Sequence, residues 1–582
     1  MSRSWRPLLE HQRNLLAQER GWVRREPGGR LNLALLYPNT YNVGLANLGL
    51  ATVYRIINDR PDALCERAFM PDRVSAPLYA KTGAPLITLE SGRPVAGFDL
   101  VLASVSFEND APNLAAMLSQ AGLGMWSRER RGPLVVAGGV AAMLNPEPLA
   151  GIVDAFLLGE AEVVLGPFLD AVQAEAGRPR DELLLALARQ APGFYAPELY
   201  QVEYAADGRL ASFAPKFPGL PDRVAAPKYR GPAAGLARSV FNAPGPEFGQ
   251  MTLIEVGRGC GHACRFCAAG HVYRPPRLGA AADYLDAALA GAAGGGRVGL
   301  VSAAVTDLPG LDGLAGAIRA AGGKLGVSSL RADCLTPELA QALAAAGHQS
   351  VALAPEAGSA RLRRVINKHL GEDDLFRAAE ILVTAGVANL RLYFMVGLPG
   401  EEDADVEELI SLARQIRQQV VSAARPTGHL GQVTVSLNAF VPKPWTPLQW
   451  EPMAPLKLIE ARMKQVKAAL RPLANLKVVT DVPKYAQLQA VIARGDRRAA
   501  GLIAALAGGQ PPAAAYKSSG VDPAFFAHRR RTRDELLPWA FLDHGIEVDY
   551  LWQEAGRATA ALASPACAVG KCARCGACTV EA

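Results

Sequence analysis

Three cysteines in one short loop, Cys260-Gly261-His262-Ala263-Cys264-Arg265-Phe266-Cys267, constrain this chain more than any other stretch. The loop follows a strand-like run, Met251 to Val256, and a tight turn at Gly257-Arg258-Gly259. Soft thiolates select zinc, copper(I) or iron–sulfur clusters, and a closed site of the zinc or cubane kind takes a fourth protein ligand. Here the loop supplies three. A 4Fe–4S cluster held this way keeps one iron open to a substrate or cofactor, and flanking glycines let backbone N–H groups come close to it. The other reading of these residues is a zinc loop completed by His262 or His271.

The spacing, with Phe266 before the last cysteine, resembles the signature of the radical S-adenosylmethionine (SAM) superfamily. That resemblance implies Cys260, Cys264 and Cys267 as ligands of a catalytic 4Fe–4S cluster, with Phe266 beside the cofactor. It further implies an open iron that chelates the amino and carboxylate groups of SAM, and reductive cleavage of the sulfonium to a 5′-deoxyadenosyl radical.

At 582 residues the chain exceeds one ordinary core, so about three domains are expected. With 50% hydrophobic and 20% charged residues the composition is globular, not disordered. A net charge of +6, from 61 basic and 55 acidic residues, is too small an excess to argue for nucleic acid. The basic runs Arg128 to Arg131 and His528 to Arg533 read as solvated faces, with phosphate contact the lesser reading. The first residues lack the apolar core of an export signal, and no run reaches the ~20 apolar residues of a membrane span. A cytoplasmic protein is expected. Seven of its nine cysteines lie in two clusters, 260–267 and 567–578, which read as metal ligands in a reducing compartment. Cys65 and Cys334 read as buried small hydrophobes.

Apolar strands near 31–38, 98–106, 133–139 and 152–160 alternate with helical text, which argues for a doubly wound α/β sheet. Its ligands would lie past the strand C-termini, where Asn39, Ser104, Ser106, Gly138, Gly139, Gly159 and Glu160 fall. The order of these pieces looks like the Rossmann-like cobalamin-binding domain found ahead of many radical SAM cores. Such domains often give cobalt a histidine from Asp-x-His-x-x-Gly, yet this chain has no histidine between His11 and His262. Either a corrinoid is held without a protein imidazole, or the fold is kept without the ligand. Fold-level analogy favours bound cobalamin.

Proline- and glycine-rich text from about Tyr204 reads as a linker. Six strand-then-helix units then follow, starting near 251, 298, 324, 350, 389 and 432, and suit a partial (β/α)6 barrel whose working face lies at the strand C-termini. Site candidates there are Ser302, Asp307, Ser329, Arg331, Glu356, Ser359, Arg391 and Asn438. Glu356-Ala357-Gly358-Ser359 with Leu362 to Lys368, and Gly397-Leu398-Pro399-Gly400-Glu401, look like blocks of methylthiotransferase-type radical enzymes. Arg331 or Arg391 would fork the SAM carboxylate, and Gly397 would let backbone approach adenine. The alternative for these charges is an internal salt bridge such as Glu356 with Arg331. Trp445 and Trp450 suit stacking on a substrate or cofactor ring, and core or rim packing at least as well.

Cys567, Cys572, Cys575 and Cys578 make a second metal loop, whose ferredoxin-like spacing favours an auxiliary iron–sulfur cluster over four-cysteine zinc. The expected organisation is a Rossmann-like domain at 1–203, a linker at 204–245, a radical SAM barrel at 246–480, and a helical region with the four-cysteine loop at 481–582. Across nearly its whole length the chain resembles the large cobalamin-binding-type radical SAM proteins, notably at Tyr37 to Tyr41, Phe107 to Asp110 and Val441 to Pro447.

The expected activity is anaerobic: reductive SAM cleavage, with cobalamin-dependent methyl transfer or rearrangement at an unactivated carbon. Sulfur insertion with the auxiliary cluster is the alternative, and a metal-cluster sensor or assembly factor is the non-enzyme reading. A reducing partner such as flavodoxin or ferredoxin is implied.

Overall fold

The computed structural model describes residues 4–245, 250–426 and 428–578. Strands β1 (Leu31–Tyr37), β2 (Ala63–Phe69), β3 (Leu100–Ser104), β4 (Leu134–Gly138) and β5 (Ala155–Leu157) pair in parallel in the order β2-β1-β3-β4-β5. A short β6 (Phe194–Tyr195) adds antiparallel to β5. The three inner strands are buried almost throughout, as a parallel sheet covered on both faces requires. Strand order reverses between β1 and β3, so a crevice opens past their carboxyl ends at this switch point.

The stretch expected as a linker is more structured than a tether. It holds a hairpin, β7 (Tyr200–Tyr204) with β8 (Leu210–Pro215), and β9 (Val224–Ala225), which pairs with a distant segment near the C-terminus. Pro246, at the expected start of the barrel, lies outside the described residues.

Two parallel sheets make up the second half. β10 (Met251–Glu255), β13 (Arg297–Val301) and β14 (Lys324–Val327) form one. β15 (Ser350–Glu356), β16 (Asn389–Val396), β17 (Val433–Ala439) and β18 (Leu476–Thr480) form the other. The sequence rhythm implied six units; β18 is a seventh strand. Between β10 and β13 the chain makes an excursion closed at its base by an antiparallel pair, β11 (Gly257–Arg258) with β12 (Arg277–Leu278). The three-cysteine loop lies inside that excursion.

Helices Pro483–Arg494, Ala499–Ala507, Pro512–Ser519 and Val548–Thr559 follow, with β19 (Leu542–Asp543) paired to β9. Buried side chains from Leu8 to Ala577 form one continuous apolar cluster, so the two halves share a core. Among the described residues, no helix is long and apolar enough to cross a membrane. Cys65 is buried as expected, whereas Cys334 is exposed because it ends a short 3-10 turn outside β14.

Candidate functional site

The cysteine loop is shaped by its backbone first. Gly259 has φ 80, and a Cβ there would lie 2.9 Å from the Tyr273 carbonyl. Ala263 also adopts positive φ, at 56. Asn367 holds this bend, its Nδ2 donating to the Ala263 carbonyl at 3.2 Å. Arg265, fully buried, donates Nη1 to the Arg364 and Val365 carbonyls and pairs with Glu554 at 3.0 Å. Burial pushes the Cys264 thiol up to about 12, with Lys368 and Arg331 working against it and the Cys267 and Cys260 thiols adding to it. The three thiols are thus neighbours with two cations close by.

The imidazoles of the zinc alternative differ: His262 is paired, while His271 keeps a buried, unpartnered Nε2. His262 Nε2 lies 2.6 Å from Asp307. His271 is fully buried with Nδ1 2.9 Å from the Cys267 carbonyl, and burial pushes its pKa down to about 3.

Next to this loop is a cavity of about 400 Å³, within the range of small-molecule sites. One wall is the crevice of the first sheet: Asn47, Ser104, Ser106, Gly138, Gly139 and Glu160. The facing wall is Glu255, Gly257, Arg258, Gly259, Tyr273 and Ser302. The rest is mainly aliphatic, including Leu35, Val53, Leu102 and Val136. Thus the first-sheet residues Ser104, Gly138, Gly139 and Glu160 and Ser302 of the second half meet at one cavity. Gly139 is also fixed by its backbone: φ is 101, and a Cβ would sit 2.5 Å from the Val105 carbonyl.

Glu160 is wholly engaged by protein groups. Arg277 Nη2 donates to it at 2.6 Å, Arg258 Nη1 at 2.9 Å and the Tyr229 N–H at 3.1 Å. Arg258 also binds Glu162 at 2.8 Å and Glu255 at 2.7 Å. Sequence reasoning missed Arg258, Arg277 and Glu162 as a unit. Their signal was present, since Arg258 stands in the turn before Cys260 and Glu162 belongs to Gly159-Glu160-Ala161-Glu162.

The remaining candidates separate. Ser329 Oγ donates to the Ser302 carbonyl at 2.9 Å and ties the ends of β13 and β14 together. Arg331 does not pair with Glu356. It donates to Asp333 at 2.7 Å and to the His369 carbonyl at 3.1 Å, with its Nε buried and unpartnered. Glu356, at φ 67, faces Lys368 at 3.8 Å, and burial raises its carboxyl pKa. Arg391 is a correction: it is the third residue of β16, exposed and at the amino end, because the apolar run starts earlier than the working face. Gly397 takes φ 80 at the carboxyl end of β16, but its Cα is covered by Ala454 and Ile459 and its N–H donates to Glu401 at 2.7 Å. Phe266 packs into a small apolar cluster with Leu362, Val365 and Leu398. Ser359 caps the helix Ala360–Val365, and Asn438 pairs with Asp481. Trp445 and Trp450 are both buried, so packing is their role.

The C-terminal cysteine segment meets the same loop through Cys567. The Cys567 N–H donates to the Gly261 carbonyl at 2.7 Å, and Ser564 N–H to Asn367 Oδ1 at 2.8 Å. Burial raises the Cys567 thiol, and Cys575, Cys578 and Cys572 are near enough to add to the shift. Arg574 Nε lies 3.4 Å from Cys572 Sγ and lowers its pKa.

Residues 254–413 match the model of the radical SAM superfamily, and residues 49–197 match the model described as radical SAM proteins, N-terminal. The chain belongs to the radical SAM superfamily. An uncharacterized protein of Methanocaldococcus jannaschii is 26% identical over 467 residues, spanning 80% of this chain and 89% of that one. Among solved structures, the cobalamin-dependent SAM radical enzyme OxsB with aqua-cobalamin bound is 15% identical, over 66% of this chain and 52% of that one, at TM-score 0.39. Its apo form is 13% identical, over 79% and 65%, at TM-score 0.43. Coproporphyrinogen III oxidase of Escherichia coli is 13% identical, over 38% and 51%, at TM-score 0.27. This chain spans less than two thirds of the length of those solved chains.

Membership of the radical SAM family implies a 4Fe–4S cluster and SAM as cofactors. The residues fit. A cluster takes its thiolates on separate irons, so three cysteines suffice and one iron stays open. Three soft donors on one glycine-flanked loop suit that arrangement.

Proposed function

We propose that this radical SAM protein uses cobalamin, bound in the cavity between its two halves, for methyl transfer or rearrangement at an unactivated carbon. The observation that carries this is the cavity itself, with the switch-point crevice of the first sheet on one wall and the cysteine excursion on the other. Its aliphatic lining and sparse polar rim suit the face of a large macrocycle. Among the described residues no histidine lines it, so the reading is of a corrinoid held without a protein imidazole.

When bound, the cluster supplies the reducing electron for SAM cleavage and the corrinoid a methyl carrier. The protein's own residues do the rest. Cys260, Cys264 and Cys267 hold the cluster, and Arg331 and Lys368 offset thiolate charge. The Glu160, Arg258, Arg277 and Glu255 network fixes the wall between the halves. Leu35, Leu102 and Val136 keep water from a reactive radical. The domain limits of 1–203, 204–245, 246–480 and 481–582 are part of this proposal, as is a second cluster on Cys567, Cys572, Cys575 and Cys578.

Sulfur insertion is the second reading, favoured by the contact of Cys567 with Gly261. Against it, among the described residues none of 540–578 lines the cavity.

Anaerobic reconstitution tests the proposal. Expected are about one cobalt per chain, 5′-deoxyadenosine on reduction, and S-adenosylhomocysteine when a methyl acceptor is present. Ser106→Trp, which fills the cavity, is expected to lose cobalt and keep iron. Cobalt binding unchanged by that substitution would sink the cobalamin assignment.

A further inference from the structure

SAM cleavage consumes one electron per event, leaving methionine and a 5′-deoxyadenosyl radical, so a one-electron donor must approach the cysteine loop from outside. The cavity side is walled by the first sheet. Another side is covered by segment 562–567 of the C-terminal region, which meets the loop at Gly261 and Arg265. The Cys567 N–H reaches the Gly261 carbonyl, and Arg265 Nη2 donates to the Leu562 carbonyl at 2.8 Å and Ser564 Oγ at 2.9 Å. This segment is thin and its outer face is exposed at Ala563, Pro565, Ala566 and residues 568–571.

Around it gather basic side chains from three parts of the chain. Arg557 donates Nε to Ser564 Oγ at 2.7 Å and Nη2 to the Ala563 carbonyl. Arg574 Nη2 donates to the Pro565 carbonyl at 2.8 Å. His369 Nε2 lies 2.8 Å from the Ser564 carbonyl. Exposed Arg364 lines a hollow with His369 and Ala563, and exposed Lys571 stands on the segment's continuation. Of the acids nearby, two are committed and one is exposed. Glu554 pairs with Arg265 and Glu372 with Arg363, while Glu547 lies against Gly576. None of the five basic groups, among the described residues, has an acidic partner within ion-pair distance.

We infer that this C-terminal face is the docking surface for an acidic, low-potential one-electron carrier protein of the flavin or iron–sulfur class. Cationic side chains steer such a partner and set its orientation, and the thin segment keeps its redox group close to the cysteine loop. The inference rests on the radical SAM reading and gives that reading its missing partner surface.

The test is a charge-reversed variant, Lys571→Glu with Arg364→Glu, compared with wild type under two reductants. Dithionite, small and needing no docking surface, reports on the loop alone; photoreduced flavodoxin reports on the patch. Expected are unchanged 5′-deoxyadenosine yield with dithionite, a KM for flavodoxin raised about tenfold, and slower bleaching of the protein's iron–sulfur absorbance when reduced flavodoxin is mixed in. Equal flavodoxin KM and bleaching rate in both proteins, or loss with both reductants, would overturn it. Should wild type fail to cleave SAM with dithionite, the radical reading fails separately. The patch is then read by calorimetric binding of flavodoxin at low salt, which the variant is expected to weaken and which unchanged affinity would refute.

Discussion

Cys264 shows how little of a site's chemistry lies in the free side chain. Its thiol is pushed up to about 12 by burial, so it gives up its proton only to a strongly bound cation. Cys264→Ala is expected to lower 5′-deoxyadenosine formation by about a hundredfold or more and to reduce bound iron, read by chromatography and metal analysis on the same sample. Asp110 gives a second prediction. Burial raises its pKa to about 6, with Asn39 opposing through a 3.1 Å hydrogen bond and Glu108 adding to the rise. The folded state therefore holds a proton that the unfolded chain has released, and stability present below about pH 4 is lost as pH rises through about 6. Asp110→Asn keeps an acceptor for Asn39 without the charge. Its melting temperature is expected to exceed wild type at pH 7.5 and converge with it near pH 4. Cysteines were legible in the sequence because thiolate clusters have few other uses. The partners of Arg331 and Glu356 were not, because Asp333 and Lys368 are brought in by loops whose course no local pattern sets.

Elements were legible where one property runs the length of a strand. β1, β3 and β4 read as apolar runs; β2 did not, because Glu66 and Arg67 interrupt Ala63 to Phe69. The structure buries that arginine completely, paired with Glu19 at 2.7 Å and Glu90 at 2.6 Å, and both partners lie far off in sequence. Likewise the supposed linker carries β8, paired with β7, and the two-residue β9, whose partner β19 lies far off in sequence. The strap formed by 562–567 had no sequence signal beyond its cysteine. Its hold on the cysteine loop runs through Asn367, which bonds Ala263 on one side and Ser564 on the other while sitting at φ 54. Asn367→Gly keeps that backbone conformation and removes both bonds. The expected cost is about 1–3 kcal/mol, seen as faster limited proteolysis between 560 and 578 with little change in the global melt. Equal cleavage rates would mean that Arg265 and the Cys567–Gly261 bond secure the strap without Asn367.

At the scale of the whole molecule, two ion-pair clasps join the halves, one of them at the cavity. Glu160 takes Arg258 and Arg277 near the cysteine excursion. On a separate contact, Glu108 takes Lys443 at 2.5 Å and Gln489 at 2.9 Å. Glu108 and Lys443 belong to the phrases Phe107 to Asp110 and Val441 to Pro447, so two stretches that stood out separately in the sequence meet here. Burial pushes the Glu108 carboxyl up, but Lys443 and Gln489 outweigh it and hold its pKa below the ordinary value. Its contribution is therefore present above the unfolded pKa and lost as pH falls through the folded one. Lys443→Met strands a buried carboxylate and is expected to cost about 3–5 kcal/mol, whereas adding Glu108→Leu to it replaces the pair with apolar groups and recovers most of that loss. Because one apolar cluster runs through both halves, the single variant is expected to shift one shared calorimetric transition downward, not to split off the first domain. Two separated transitions in Lys443→Met would show that the halves fold independently once this clasp is lost.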